Sequence, residues 1–123
     1  MSTLRVNTLQ DASGANGLTP AQISNGIAKA WVNFNGTGTV AIRSSHNVSS
    51  ITDNATGKYR VNFSTAFSDS SYVAVCAANP NNYSGADGQL SNVFVGTGAF
   101  ELEVRTSSNS FSNSDYVFAA VFR

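Results

Sequence analysis

Residues 33–42, NFNGTGTVAI, place Gly36 and Gly38 between two apolar stretches, and this segment decides the fold class. A phosphate-binding loop would need a G-x-x-x-x-G-K-[ST] pattern that opens a helix, and a dinucleotide site would need G-x-G-x-x-G inside a βαβ unit. Here the glycines are followed by Val40-Ala41-Ile42, which has strand character and contains no lysine. Asn-Gly flanked by alternating apolar residues is a strong hairpin signal. The segment therefore predicts a turn between two antiparallel strands.

Alternation with a period of two predicts further strands on either side of this turn. Residues 58–63 and 100–105 alternate apolar side chains with charged or polar ones, which is typical of strands with one buried and one wet face. Residues 72–78 and 116–122 are apolar on both faces. We expect these two to be central in a sheet, or to lie between the core and a neighbouring subunit. Turn-forming clusters about every ten residues complete the pattern of an all-β protein, an antiparallel β-sandwich.

The first 27 residues differ from the rest of the chain. Residues 1–18 are rich in turn-forming residues, which predicts an extended N-terminal arm. In residues 19–27, Thr19 and Gln22 fit the T-x-x-Q capping box, and the proline between them suits the first helical position. This predicts one short helical turn, followed by a β-sandwich domain over residues 28–123.

The composition argues against several classes of partner. Charged residues make up only 11% of the chain and the formal net charge is +0, whereas binding nucleic acid needs a concentrated basic patch. No run approaches membrane-spanning length, and the sequence starts without an apolar leader, so we expect no membrane partner and synthesis in a cytoplasm. Cys76 and His46 are each the only residue of their type. We therefore expect Cys76 to be a buried thiol, and no disulfide, metal site or other cofactor.

No group of residues in the sequence is typical of an active site. Glu101 and Glu103 share one strand face, and glycoside hydrolysis uses two carboxylates. The opposite face of that strand is apolar, so we expect both glutamates to face solvent beside Arg105. A serine nucleophile would need a histidine and an acid together with a G-x-S-x-G elbow, and His46 has no such context. We therefore predict a protein that is not an enzyme.

Two regions are candidates for binding. The longest polar loop, residues 79–88, would suit sugar recognition through hydrogen bonds and stacking, with a plain solvated loop as the alternative. Its candidate ligand-binding residues are Asn81, Asn82, Tyr83 and Asp87. The second candidate comprises Trp31 and Phe118, which lie on strand faces that the alternation does not assign to water. They are predicted oligomer contacts, with a second packed face as the alternative for Trp31.

Two long segments carry a resemblance to known proteins. LRVNTLQDASG (residues 4–14) and AKAWVNFNGTGTVAIRSSHNVSSITDNATGKYRVNFSTAF (residues 28–67) resemble tail-fibre-like virion proteins of marine cyanophages and similar tailed bacteriophages. The motifs that carry it lie at Ala30–Thr37, Ile51–Gly57 and Tyr59–Phe63. A weaker likeness, at the level of architecture, links residues 61–78 and 100–122 to the six-stranded sandwich of H-type lectins, which assemble as trimers and bind sugars.

The resemblance implies a virion component, located in the tail or a tail fibre, that acts in host adsorption as a homotrimeric β-sandwich. The arm would contact other virion proteins, and a host surface glycan is the implied receptor. One alternative is a purely structural virion protein, such as a capsid decoration subunit on the head or a tail-assembly connector. Another is a lectin-like carbohydrate-binding module.

Overall fold

The structure, a computed structural model, describes residues 1–80 and 89–123. Within those residues the chain forms one short helix, α1, and eight strands. The helix comprises Pro20–Gly26, and the strands are Ala30–Asn35 (β1), Ala41–His46 (β2), Val48–Ala55 (β3), Lys58–Phe63 (β4), Val73–Pro80 (β5), Gln89–Val95 (β6), Ala99–Arg105 (β7) and Ser114–Phe122 (β8).

The strands form two four-stranded sheets that pack against each other. Sheet 1 has the order β2-β1-β8-β5 and sheet 2 the order β3-β4-β7-β6, and each described pairing is antiparallel. The β1–β2 and β6–β7 connections are the two glycine turns of the sequence, at Gly36–Gly38 and Gly96–Gly98. The predicted all-β antiparallel sandwich is confirmed.

The core lies between the two sheets and follows the period-two alternation. Sheet 2 contributes the inward side chains of residues 58–63 and 100–105, as predicted, among them Tyr59, Phe100 and Leu102, which are all fully buried. Sheet 1 contributes the inward side chains of β1 and β8, including Phe34. The Phe34 ring meets the Tyr59 ring edge to face, with 5.2 Å between the centroids, so an aromatic contact joins the two sheets.

A close approach at Gly36 also joins the sheets. The Tyr59 hydroxyl donates hydrogen bonds to the Gly36 carbonyl, at 2.8 Å, and to Asn113 Oδ1, at 2.9 Å. A Cβ atom on Gly36 would lie 2.5 Å from Tyr59 Oη and 2.8 Å from the Ser114 carbonyl oxygen. Only glycine therefore fits this position without displacing its neighbours. The glycine that turns the first hairpin also lets the other sheet approach it.

The N-terminal region contains the predicted capping box. The Thr19 side chain accepts from the Gln22 amide at 3.2 Å, and the Gln22 side chain accepts from the Thr19 amide at 2.9 Å. Residues 1–18 are all exposed, and a single antiparallel bridge, Leu9 to Leu18, closes this segment on itself. None of the described residues belongs to a helix long and apolar enough to cross a membrane. The division into arm, helical turn and sandwich domain stays a prediction.

The two segments that are apolar on both faces take different positions in sheet 1. We expected residues 72–78 and residues 116–122 to be central in a sheet or to lie between the core and a neighbouring subunit, and β8 is central, between β1 and β5. In contrast, β5 lies at the edge of sheet 1. Its inward side chains reach the core, while its outward valines remain exposed. The physical reason is that an apolar pattern on both faces of a strand depends on what packs against those faces. The pattern does not depend on how many strands pair with that strand, so it does not distinguish an edge strand from a central one.

Candidate docking face

Over β1, β8 and β5 the outer face of sheet 1 is largely apolar, and none of the described residues covers it, while β2 adds Ser44 and His46 beside Asn33 and Trp31. Its exposed large side chains come from β1, β5 and β8. They are Trp31 (39% exposed), Val73 (63%), Val75 (58%), Tyr116 (42%) and Phe118 (40%), and we refer to this surface as the apolar face. Period two explains the arrangement, because the neighbouring residues along each strand point into the core and leave these side chains on the opposite side.

The strand register brings these residues together across the sheet. Trp31 on β1 pairs with Ala120 on β8, and Ala120 pairs in turn with Val75 on β5. In the adjacent row, Phe118 lies between Asn33 and Ala77. Alanine between larger side chains leaves a depression of about 350 Å³, lined by Trp31, Val32, Asn33, Val75, Cys76, Ala77, Phe118, Ala119 and Ala120. The apolar face therefore has both protruding rings and a groove.

Asn33 is the polar residue at the centre of this surface. It lies directly opposite Phe118 and two residues from Trp31 on β1, and its Oδ1 atom is buried without a hydrogen-bond donor. A buried acceptor that has lost water without gaining a donor is unfavourable by about 1–3 kcal/mol. Such groups are rare in native proteins and call for a specific explanation.

A cation lies at one border of the apolar face. The Arg43 guanidinium is 4.2 Å from the centroid of the Tyr116 ring and donates a hydrogen bond to the Asp115 carbonyl. The Tyr116 ring stacks in turn on Phe118, with 6.2 Å between centroids and 20° between planes. Arg43 is the extra residue at the β1–β2 bulge, which explains how a charged side chain comes to border an otherwise apolar row.

The outer face of sheet 2 has the opposite chemistry. Lys58 and Arg60 on β4 lie opposite Glu103 and Glu101 on β7, and with Arg105 they form what we call the charged face. Arg60 contacts Glu101 at 2.8 Å, while Glu103 contacts Arg105 at 2.7 Å and Lys58 at 3.4 Å. Hydrogen bonds from Arg105, together with Lys58, hold the pKa of Glu103 below its usual value. Glu103 is therefore not placed as a protonated acid.

The structure changes one detail of the sequence interpretation of this pair. Both glutamates point away from the core beside Arg105, but Glu103 is only 9% exposed rather than open to solvent. The Phe111 ring explains part of this, because it lies 4.2 Å from the Lys58 ammonium and 3.9 Å from the Arg105 guanidinium. The ring and the two cations together shield the carboxylate.

The remaining reactive or charged groups do not form a site of their own. Burial raises the pKa of Cys76 to about 11, as expected for a thiol packed beside the core, so it is protonated at neutral pH. Where the structure describes the chain, no three His, Cys, Asp or Glu side chains are grouped to hold a metal ion. A depression of about 480 Å³ beside α1 includes Lys29 and Arg123. Lys29 already binds the Ser24 carbonyl and hydroxyl, and Arg123 already binds Asp69.

The candidate binding residues from the sequence have different outcomes. Asn81, Asn82, Tyr83 and Asp87 lie outside the described residues, so the loop stays a prediction. Trp31 and Phe118 do lie on one outward surface and close to each other in register, while their role as oligomer contacts stays a prediction. Sequence reasoning did not assign Val73 and Val75 to that surface, whereas alternation along β1 already puts Asn33 on the same face as Trp31. The alternation in residues 72–78 contained the signal for the valines, but only the strand order assigns them to the same sheet as Trp31.

Comparison with known proteins adds no assignment. No known protein family, curated protein or solved structure matches this chain.

Proposed function

We propose that this chain is a virion component of a tailed bacteriophage, a tail-fibre or receptor-binding protein that acts in host adsorption as a homotrimeric β-sandwich module. The resemblance of residues 3–67 to tail-fibre-like proteins of cyanophages supports the phage assignment. The apolar face supports the modular role and is the observation that carries the proposal. Five large side chains of this face are 39–63% exposed in the single chain, and apolar patches of this kind mark interaction sites.

The charged face supports a binding module rather than an enzyme. Its two carboxylates are the acid–base candidates of the sequence, and each is neutralised by a cation within 2.9 Å. A general acid needs a carboxyl group whose pKa is raised toward the working pH, whereas the pKa of Glu103 is lowered. These contacts therefore suit a stabilising ladder across sheet 2.

A purely structural virion protein, such as a decoration or connector subunit, is the second candidate. The observation that favours it is the N-terminal segment, in which Leu4, Val6 and Leu9 are 86%, 43% and 59% exposed. Apolar side chains without a partner in their own domain suit docking onto another virion protein. A lectin-like module is a third possibility, and it depends on the loop at residues 79–88.

The test is to locate the chain on particles of the phage that encodes it. Antibody against the folded domain is used for immunogold electron microscopy, with mass spectrometry of purified virions as the independent readout. Label at fibre or tail tips, together with inhibition of adsorption when host cells are first incubated with the purified protein, supports the adsorption role. Label over the head favours the decoration subunit instead. Absence of the chain from virions by mass spectrometry overturns both.

A further inference from the structure

We propose that the occupant of the apolar face is a second copy of this chain, which contributes its own apolar face, so that Trp31 and Phe118 of each copy pack against the partner. The inference rests on the proposed function in one respect, the expectation of a homo-oligomer, and adds the surface and the residues that form it. Four observations carry it: the area of the face, the distribution of charge, the buried acceptor of Asn33, and the edge position of β5.

The exposed area fits the centre of a protein interface. An aromatic side chain buries about 150–250 Å², so the exposed fractions of Trp31, Tyr116 and Phe118 leave roughly 250 Å² of ring surface, and the two valines extend this to on the order of 400 Å². A standard interface covers about 800 Å² per partner. The exposed side chains therefore supply an apolar centre, and the intervening alanines and the border residues can supply much of the rest.

The distribution of charge favours a contact between the apolar faces of two copies over a contact between one apolar face and one charged face. The charged face of another copy would bring Lys58, Arg60 and Arg105 against the apolar face, which offers them no carboxylate. Taking those ion pairs out of water without new partners is unfavourable. Two apolar faces meet without burying a charge at the centre, and Arg43 stays at the border, where its guanidinium covers the Tyr116 ring.

Asn33 supplies an observation of a different kind. Its Oδ1 atom is buried on this face and lacks a donor within the described chain. A side-chain amide has two donors as well as an acceptor, so Asn33 of a symmetry-related copy can supply a donor once the side chain turns its Oδ1 atom, which the single chain covers, toward the partner. Paired asparagines inside apolar interfaces fix register and oligomer number in other assemblies. A role of Asn33 in fixing the register of the two copies explains why an amide side chain lies among aromatic and aliphatic residues.

The edge strand of sheet 1 also favours a covered surface. Soluble β-proteins protect their edges with charged side chains, proline or bulges. Strand β5 has the sequence VAVCAANP, in which no residue is charged and the proline stands at the far end. Val73 and Val75 place the first half of this edge, which has neither a charged residue nor a proline, within the apolar face. A second copy that covers the face would shield the outer side of the strand as well.

The experiment measures the mass of the full chain in solution by sedimentation and light scattering over a range of concentrations. We expect an oligomer for the wild type, and for Phe118→Asp a dissociation constant raised ~30-fold or more, because a charge at the centre of an interface acts on a hot-spot position. The matched control is Thr52→Asp, which adds the same charge to an exposed position on the outer side of sheet 2, opposite Arg60. The control should keep the wild-type mass.

A cross-linking variant covers the case in which Phe118→Asp does not fold. Asn33→Cys places a thiol at the proposed contact, and we expect oxidation to give a covalent dimer on non-reducing gels, while Thr52→Cys gives none. A wild-type dimer that Phe118→Asp dissociates supports this inference and contradicts the trimer of the proposed function, whereas a trimer that Phe118→Asp dissociates agrees with both. A 12.9 kDa monomer at all concentrations, or an oligomer unaffected by Phe118→Asp and not cross-linked through Asn33→Cys, overturns the inference. Neither result bears on the immunogold location, which is tested separately.

Discussion

The two outer faces of the sandwich are built in the same way and differ in chemistry. Each belongs to a four-stranded antiparallel sheet, and on the two central strands of each sheet the outward residues alternate with inward side chains that are almost completely buried. On sheet 2 the outward residues form cross-strand ion pairs, such as Arg60 with Glu101. On sheet 1 the corresponding residues are Trp31, Val75 and Phe118, whose side chains carry no charge and form no ion pairs across the sheet.

This difference shows what alternation alone can and cannot establish. Period two identifies the inward side of a strand, because one face must be apolar to form the core. The chemistry of the opposite side then indicates what that side meets. An ion-paired ladder is compatible with water, while a contiguous apolar surface with a groove indicates a protein partner. One strand thus carries evidence about both its fold and its assembly.

The largest predicted effect comes from a comparison of two phenylalanines, one that faces the core and one that faces outward. Phe100→Ala removes a fully buried ring from the core, and we expect the free energy of unfolding to fall by about 3–5 kcal/mol. Phe118→Ala removes a ring from the apolar face, so we expect its effect to depend on protein concentration, because it weakens association rather than the fold of one chain. Urea denaturation at several protein concentrations measures both.

The concentration dependence is the decisive readout for this pair. The difference in the free energy of unfolding between the wild type and Phe100→Ala should be the same at each protein concentration. If Phe118→Ala instead lowers stability by a similar, concentration-independent amount, its ring contributes to the monomer as a core residue does. The distinction between inner and outer faces of sheet 1 would then be wrong.

The second prediction concerns the contact that holds the two sheets together. Gly36→Ala places a methyl group 2.5 Å from Tyr59 Oη and 2.8 Å from the Ser114 carbonyl, and we expect a loss of about 3 kcal/mol, at the upper end for overpacking. Gly98→Ala is the matched control in the other glycine turn, since nothing lies within 4 Å of the added Cβ. Thermal unfolding of both variants checks the difference, and equal melting temperatures would contradict it.

The sequence was sufficient to predict the local features of the fold. The strands around residues 58–63 and 100–105, the two glycine turns and the capping box at Thr19 each depend on neighbouring residues, and each is present. The edge position of β5 was not predicted, because sheet order depends on which distant segments pair. Strand β5 pairs with β8 alone in sheet 1, and nothing within its own eight residues encodes that.

The candidate site was partly predictable for the same reason. Alternation needs only the residues of one strand, and it left Trp31 and Phe118 on strand faces that it did not assign to water. It could not show that Asn33 and Ala77 flank Phe118, because that arrangement depends on the registers of β1 and β5 against β8. The missing donor of Asn33 Oδ1 is visible only once those strands are paired.

The third prediction uses pH to test the hydroxyl that joins the sheets. Burial raises the pKa of Tyr59 from 10.0 to about 12, with a smaller contribution from Asp53. The folded state therefore holds this proton more tightly, so its stabilising effect is complete below pH 10 and is lost as the pH rises toward 12. We expect a loss of roughly 2–3 kcal/mol as the pH rises through that window, since one pKa unit corresponds to about 1.4 kcal/mol.

Tyr59→Phe is the control for this pH dependence. The variant removes the donor to the Gly36 carbonyl and to Asn113 Oδ1, so we expect it to be less stable by about 1–2 kcal/mol at neutral pH. The variant should also lose the part of the alkaline loss of stability that comes from Tyr59. The part that comes from Cys76, whose pKa is raised to about 11, should remain. Identical alkaline curves for variant and wild type would show that Tyr59 does not titrate as proposed.

The smallest predicted effect tests whether the charged face stabilises the sandwich through its ion pairs. Glu103→Gln removes the carboxylate that contacts both Arg105 and Lys58, and we expect a loss below about 1 kcal/mol, since ion pairs near a surface contribute little. Because the pKa of Glu103 is lowered in the folded state, its contribution to stability is present above the usual glutamate pKa and disappears as the pH falls through the folded value.

Denaturation of Glu103→Gln and of the wild type at neutral pH, at low pH and in high salt measures this contribution. The difference between wild type and variant should shrink in acid and, through screening, in salt; a constant difference would mean that Glu103 acts by packing rather than by charge.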